Sequence, residues 1–70
     1  MNAVSIRSGD GDIQSLGTFE DYRDALAMAF RTLRELEARP LPNRDQWVEI
    51  HRQQNLLFSA EVGTHRRHLR

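Results

Sequence analysis

The feature that most constrains this chain lies between Thr18 and Pro40, where apolar residues recur at helical spacing. Tyr22, Leu26, Ala29, Phe30, Leu33 and Leu36 follow one another at steps of one, three and four, while Arg23, Asp24, Arg31, Arg34 and Glu35 fall mostly elsewhere on the wheel. The spacing predicts a helix over Phe19 to Ala38. Thr18 is the expected N-cap, because its hydroxyl can accept a first-turn N–H and Glu20 and Asp21 complement the positive end of the dipole. Pro40 and Pro42 end the helix, since the residue before each proline is pushed from helical angles, and 40–44 reads as a connection. A helix with a single oily stripe must lie against something flat.

The flanking segments supply it. Ala3 to Arg7 alternates through Val4 and Ile6, Gly9-Asp10-Gly11-Asp12 tolerates positive φ, and Ile13 to Gly17 returns, which predicts a hairpin. A three-residue loop sets Val4 opposite Leu16 and gathers Val4, Ile6 and Leu16 on one face; a two-residue Asp10-Gly11 turn would instead pair Ile6 with Ser15 and turn Leu16 away. The first register is the expected one. After the helix, Trp47 to Ile50 and Leu56 to Ala60 are β-prone around Gln53-Gln54-Asn55, with Asn55 expected in the left-handed position of a three-residue loop. Arg52 then faces Leu56, Ile50 faces Phe58 and Val48 faces Ala60. Trp47, Ile50, Leu57 and Phe58 also fit helical spacing, so the rival is an N-terminal hairpin followed by a helical hairpin. The favoured fold is α+β: ββαββ, a four-stranded antiparallel sheet with one amphipathic helix packed on one face and the other face open. Residues 1–63 make the single domain, and 64–70 a basic, solvated C-terminal tail.

Composition narrows the function classes. A chain of 70 residues removes only about 60% of its unfolded surface from water, so the core is thin. With no cysteine there is no disulfide to support it and no thiolate zinc site. Ten basic and ten acidic residues cancel, so any electrostatic role is local. All ten basic residues are Arg, a bias expected of a GC-rich bacterial or phage genome. No apolar run reaches the roughly 20 residues of a membrane span and Met1 to Ser8 lacks a signal-peptide layout, which leads us to expect a cytoplasmic protein with no membrane partner.

The motifs that carry chemistry are weak. Asp10 and Asp12 imitate the start of a calcium loop, yet counting from Asp10 the sixth position is Ser15 where Gly is needed and the twelfth is Asp21 where a Glu is needed. Both read better as turn formers. His65-x-x-His68 has metal-ligand spacing on a helical turn, but two imidazoles without a third ligand make a poor site. No hydroxyl residue sits in a nucleophile elbow, and no Gly-rich loop precedes the helix. The pairs Asp21 with Asp24 and Glu35 with Glu37 fall on the polar side of the helix, and Glu49 with His51 reads as a surface contact. Neither an enzyme, a cofactor, a metal nor a small-molecule substrate is expected.

What remains are surfaces. On the strand reading Trp47, Glu49 and His51 leave the helix-covered face, as does Leu57, so Trp47 and Leu57 form an apolar spot with Glu49 and His51 as polar rim, unless the connection at 41–44 covers it. The leading expectation is a small protein-binding or assembly module acting through the open sheet face or a strand edge, with a homodimer among its forms. A second expectation is nucleic-acid binding through Arg66, Arg67 and Arg70 of the tail, extended by Arg7 and Arg52. A third follows from layout alone: compact hairpin-helix-hairpin proteins without catalytic motifs resemble small phage-encoded inhibitors of bacterial defence, which implies a host protein complex as partner.

Overall fold

The computed structural model describes residues 1–39 and 45–63. Along them run β1 (Asn2–Ser8), β2 (Ile13–Phe19), α1 (Tyr22–Glu37), β3 (Gln46–Arg52) and β4 (Asn55–Glu61), the α+β order ββαββ. The strands form one antiparallel sheet ordered β2-β1-β3-β4. Since β2 and β3 both pair antiparallel with β1, they run parallel to each other, and α1 carries the chain across β1. The rival helical hairpin is excluded. Val48 and Ile50 alternate with Trp47, Glu49 and His51, and only a strand puts both branched residues on the face that α1 covers.

The core joins Val4, Ile6, Val48 and Ile50 of the central strands to Ala25, Ala29, Leu33 and Leu36 of α1, with Val62 beyond β4. Ala25 and Ala29 are fully buried, and their small side chains let the helix axis approach the sheet closely. Phe30 departs from the expected stripe. It lies 46% exposed at the margin of the helix and meets the ring of Phe58 edge-on, with centroids 5.5 Å apart.

The helix starts later than its sequence suggests. Asp21, not Thr18, is the N-cap, and its side chain accepts the Arg23 N–H at 2.9 Å. Thr18 and Phe19 belong to β2, where they pair with Ala3 and Asn2. The buried Asn2 amide fixes this junction by donating to the Phe19 and Glu20 carbonyls at 3.1 and 3.2 Å, while its Oδ1 accepts from Arg52 Nε at 3.1 Å.

Both hairpins keep part of the expected register and lose the rest at a bulge. In the first, Ser8 N–H reaches the Asp12 carbonyl and Gly11 N–H the Ser8 carbonyl, closing the expected three-residue loop with Gly11 at φ +99°. The register holds through Ser5 with Ser15, then shifts: Val4 faces Gly17, not Leu16, which is the extra residue of a bulge and still packs against the core. Gly17 meets that distortion at φ +144°, a conformation costly for any residue with a Cβ. In the second hairpin Ile50 faces Phe58 and Val48 faces Ala60 as expected, but Arg52 pairs with Asn55 and His51 with Leu56. The loop is two residues, with Gln53 and Gln54 at φ +48° and +71° in place of Asn55, and a bulge at Leu57 absorbs the difference.

Candidate functional site: the open face of the sheet

Pairing fixes which residues share the uncovered face, because cross-strand partners point to the same side. Three rows cross it from β2 to β4: Ile13, Arg7, Trp47 and Glu61; then Ser15, Ser5, Glu49 and Ser59; then Thr18, Ala3, His51 and Leu56. Leu57, the bulged residue, stands beside Leu56, so the distortion of β4 sets two leucines together at one corner.

The centre of this face is a carboxylate. Glu49 is only 5% exposed although, among the described residues, no helix or strand lies over it. Its neighbours bury it: Arg7 directs Nε and Nη2 to Glu49 Oε2, both at 3.1 Å, and Ser59 Oγ donates to the same oxygen at 3.3 Å. The backbone makes that last contact short. Val62 N–H bonds the Gln46 carbonyl, so by alternation 62/46, 60/48 and 58/50 are the hydrogen-bonded pairs, and Glu49 with Ser59 is a non-hydrogen-bonded pair whose side chains stand closer. His51 Nε2 lies 4.0 Å from Glu49 Oε1, beyond a hydrogen bond. The guanidinium of Arg7 also sits over the Trp47 ring, 4.4 Å from its centroid, an interaction worth about 0.5–1 kcal/mol where partly exposed. Among the described residues no buried side-chain nitrogen or oxygen lacks a partner.

The expected pair of Trp47 and Leu57 is therefore not one continuous spot. Trp47 is half-buried, with the Arg7 guanidinium over its ring; the connection at 41–44, expected as a cover, lies outside the described residues. Leu57 is 39% exposed and Leu56 54%, at the far end of β4. The sequence reading assigned Arg7 to the basic patch and missed its place here, over Trp47 and bound to Glu49. The signal available was parity: Arg7 alternates with Val4 and Ile6 and so had to lie on the open face. It also missed Ile13, 69% exposed opposite Arg7.

Arg7 and Arg52 do not form the basic patch expected of a nucleic-acid surface. They lie at opposite ends of the sheet on opposite faces, one bound to Glu49 and the other to Asn2. Arg66, Arg67, Arg70, His65 and His68 lie outside the described residues. At the first turn Asp10 Oδ1 accepts the Asp12 N–H at 3.1 Å, so the carboxylate closes the turn. Beside the helix two open clefts of about 230 and 280 Å³ are lined by Phe30, Leu33, Arg34 and Glu37 and by Phe19, Asp24, Ala27, Met28 and Arg31. Both fall below the roughly 300–1,000 Å³ of small-molecule sites. Among the described residues no helix is long and apolar enough to cross a membrane.

No protein-family model matches the chain, and neither a curated protein nor a solved structure matches it.

Proposed function

We propose that this protein is a small non-enzymatic binding or assembly module that works by protein contact through its open sheet face. One observation carries the reading: among the described residues, three of the five large apolar side chains left exposed, Ile13, Leu56 and Leu57, belong to the strands' uncovered side, while Met1 precedes β1 and Phe30 lies on the helix. Leu56 and Leu57, adjacent and both exposed, form the one place on this face where apolar groups are contiguous, and contiguous exposed apolar groups are the usual mark of a partner surface. Arg and Trp are the side chains that most often dominate such contacts, and here Glu49 bonds the Arg7 guanidinium, which lies over the Trp47 ring, so Arg7 has less rotamer entropy to lose on binding than a free arginine.

The test is site-specific photocrosslinking in cells that make the protein naturally. A benzophenone side chain at Leu57 is expected to give a discrete protein adduct, and the same group at Arg23, on the exposed side of α1, none. Absence of any adduct from Leu57 and Ile13 alike would remove the reading.

A further inference from the structure

We infer that the Asp10–Gly11 peptide is a modification site, where the chain isomerises to isoaspartate without an enzyme, and that the β1–β2 turn sets the rate by holding the reacting atoms apart.

The chemistry needs an aspartate followed by a residue that leaves its own nitrogen open to approach. Gly11 N loses its proton and attacks Cγ of the protonated Asp10 carboxyl; a C–N bond forms, the carboxyl hydroxyl leaves as water, and a five-membered cyclic imide results. Water then adds to one of the two imide carbonyls. Addition at Cγ restores aspartate, whereas addition at the main-chain carbonyl breaks the original peptide C–N bond and leaves the chain running through Cβ and Cγ. One water leaves and one returns, so the mass is unchanged and no oxidant or reductant takes part. Of the five aspartates, Asp12, Asp21, Asp24 and Asp45 precede Ile13, Tyr22, Ala25 and Gln46, whose side chains crowd the attacking nitrogen. Asp10 alone precedes glycine, and no asparagine does. Residues 9–13 are all exposed, and nothing lies within 4 Å of the place a Gly11 Cβ would occupy, so water has access to the imide.

The folded turn opposes the first step. Gly11 N–H donates to the Ser8 carbonyl at 2.9 Å and neither central residue, Gly9 nor Asp10, takes a positive φ, which makes this a type I turn with Asp10 at its third position and ψ of about 0°. At that ψ the Gly11 nitrogen eclipses the nitrogen of Asp10 itself and stands away from Cβ, whereas ring closure requires it to eclipse Cβ. The electrophile is held as well, since Asp10 Oδ1 accepts the Asp12 N–H at 3.1 Å. Attack therefore waits until this end of the hairpin opens. Two bonds resist the opening: Ser8 N–H to the Asp12 carbonyl at 2.8 Å, and Gly9 N–H to the Asp45 carbonyl at 2.7 Å, which ties the turn to the entry of β3. Once formed, the isomer carries an additional main-chain carbon in a loop that these bonds close at three residues. The strain falls on the end of the sheet where Arg7 pairs with Ile13, and that pairing is the part to loosen.

The test ages the intact chain at neutral pH in heavy-oxygen water, with and without urea at an unfolding concentration. Electron-transfer fragmentation distinguishes isoaspartate from aspartate at each position, and the incorporated label counts the hydrolyses. In urea, isoaspartate is expected at Asp10 well before any other aspartate; in the folded chain it is expected to form at least about tenfold more slowly. Gly9→Ala supplies a second arm. Its Cβ would meet Asp45 Cβ at 2.9 Å, which works against the bond from Gly9 to Asp45 and leaves the reacting dipeptide untouched. The folded-state rate is then expected to rise several-fold while the rate in urea stays that of wild type. First modification at another aspartate overturns the site; equal rates with and without urea, or a folded-state rate that Gly9→Ala leaves unchanged, overturn its control by the turn.

Discussion

The two faces of this sheet solve the same burial problem by opposite means. On the covered face Val4, Val48 and Ile50 are fully buried because α1 lies over them. On the open face Glu49, adjacent in sequence to both Val48 and Ile50, is almost as deeply buried, yet the described residues that bond it, Arg7 and Ser59, are side chains of its own sheet. The difference teaches that a helix is needed to shelter apolar groups, which have no directional bond to hold them, whereas a carboxylate can collect its own cover through charge-assisted hydrogen bonds.

Truncation on the covered face breaks this comparison hardest. Ile50→Ala removes a fully buried side chain, and a loss of about 2–5 kcal/mol is expected, enough to leave much of so small a domain unfolded in urea titrations. One residue away, Glu49→Ala removes the partner of Arg7; because Arg7 is 39% exposed and water can solvate it, the loss should be smaller, about 1–3 kcal/mol by the same titration. Should Glu49→Ala prove as damaging as Ile50→Ala, the open face is a second core and the comparison fails.

The turns offer a gentler probe. Replacing Gln53-Gln54 with Asn-Gly suits two successive positive φ values and should raise the thermal midpoint by a few degrees, a gain of about 0.5–1 kcal/mol. The smallest effect belongs to the corners. Ile13→Ser, at a side chain 69% exposed, should leave stability in a denaturant titration within about 0.5 kcal/mol of wild type.

How far the sequence could be read follows from the range over which each feature is decided. The stripe Leu26, Ala29, Leu33 and Leu36 and the Gly11 turn are local, and they were legible. The cap was misplaced because Thr18 and Asp21 are both good caps; the choice fell to Asn2, which holds Phe19 and Glu20 from across the hairpin. The bulges at Leu16 and Leu57 were invisible since alternation alone assumes an unbroken register. Of the candidate site, Trp47, Leu57, Glu49 and His51 were placed on the right face by parity, but their organiser Arg7 was assigned elsewhere.

By itself the sequence determined one helix with one oily stripe, two strand pairs to receive it, and the side of the sheet on which the residues of β1 and β3 fall, because these follow from backbone periodicity and nearest-neighbour turns; beyond the bulges parity failed, and Leu56, expected opposite Arg52, faces His51. Tertiary structure alone decided that β1 lies beside β3. That adjacency brings Arg7 to Glu49 across 42 residues of chain and, with the bulge in β4, sends the exposed apolar groups to opposite corners. Such pairings depend on which surfaces the helix crossover brings within reach, and no local pattern encodes them.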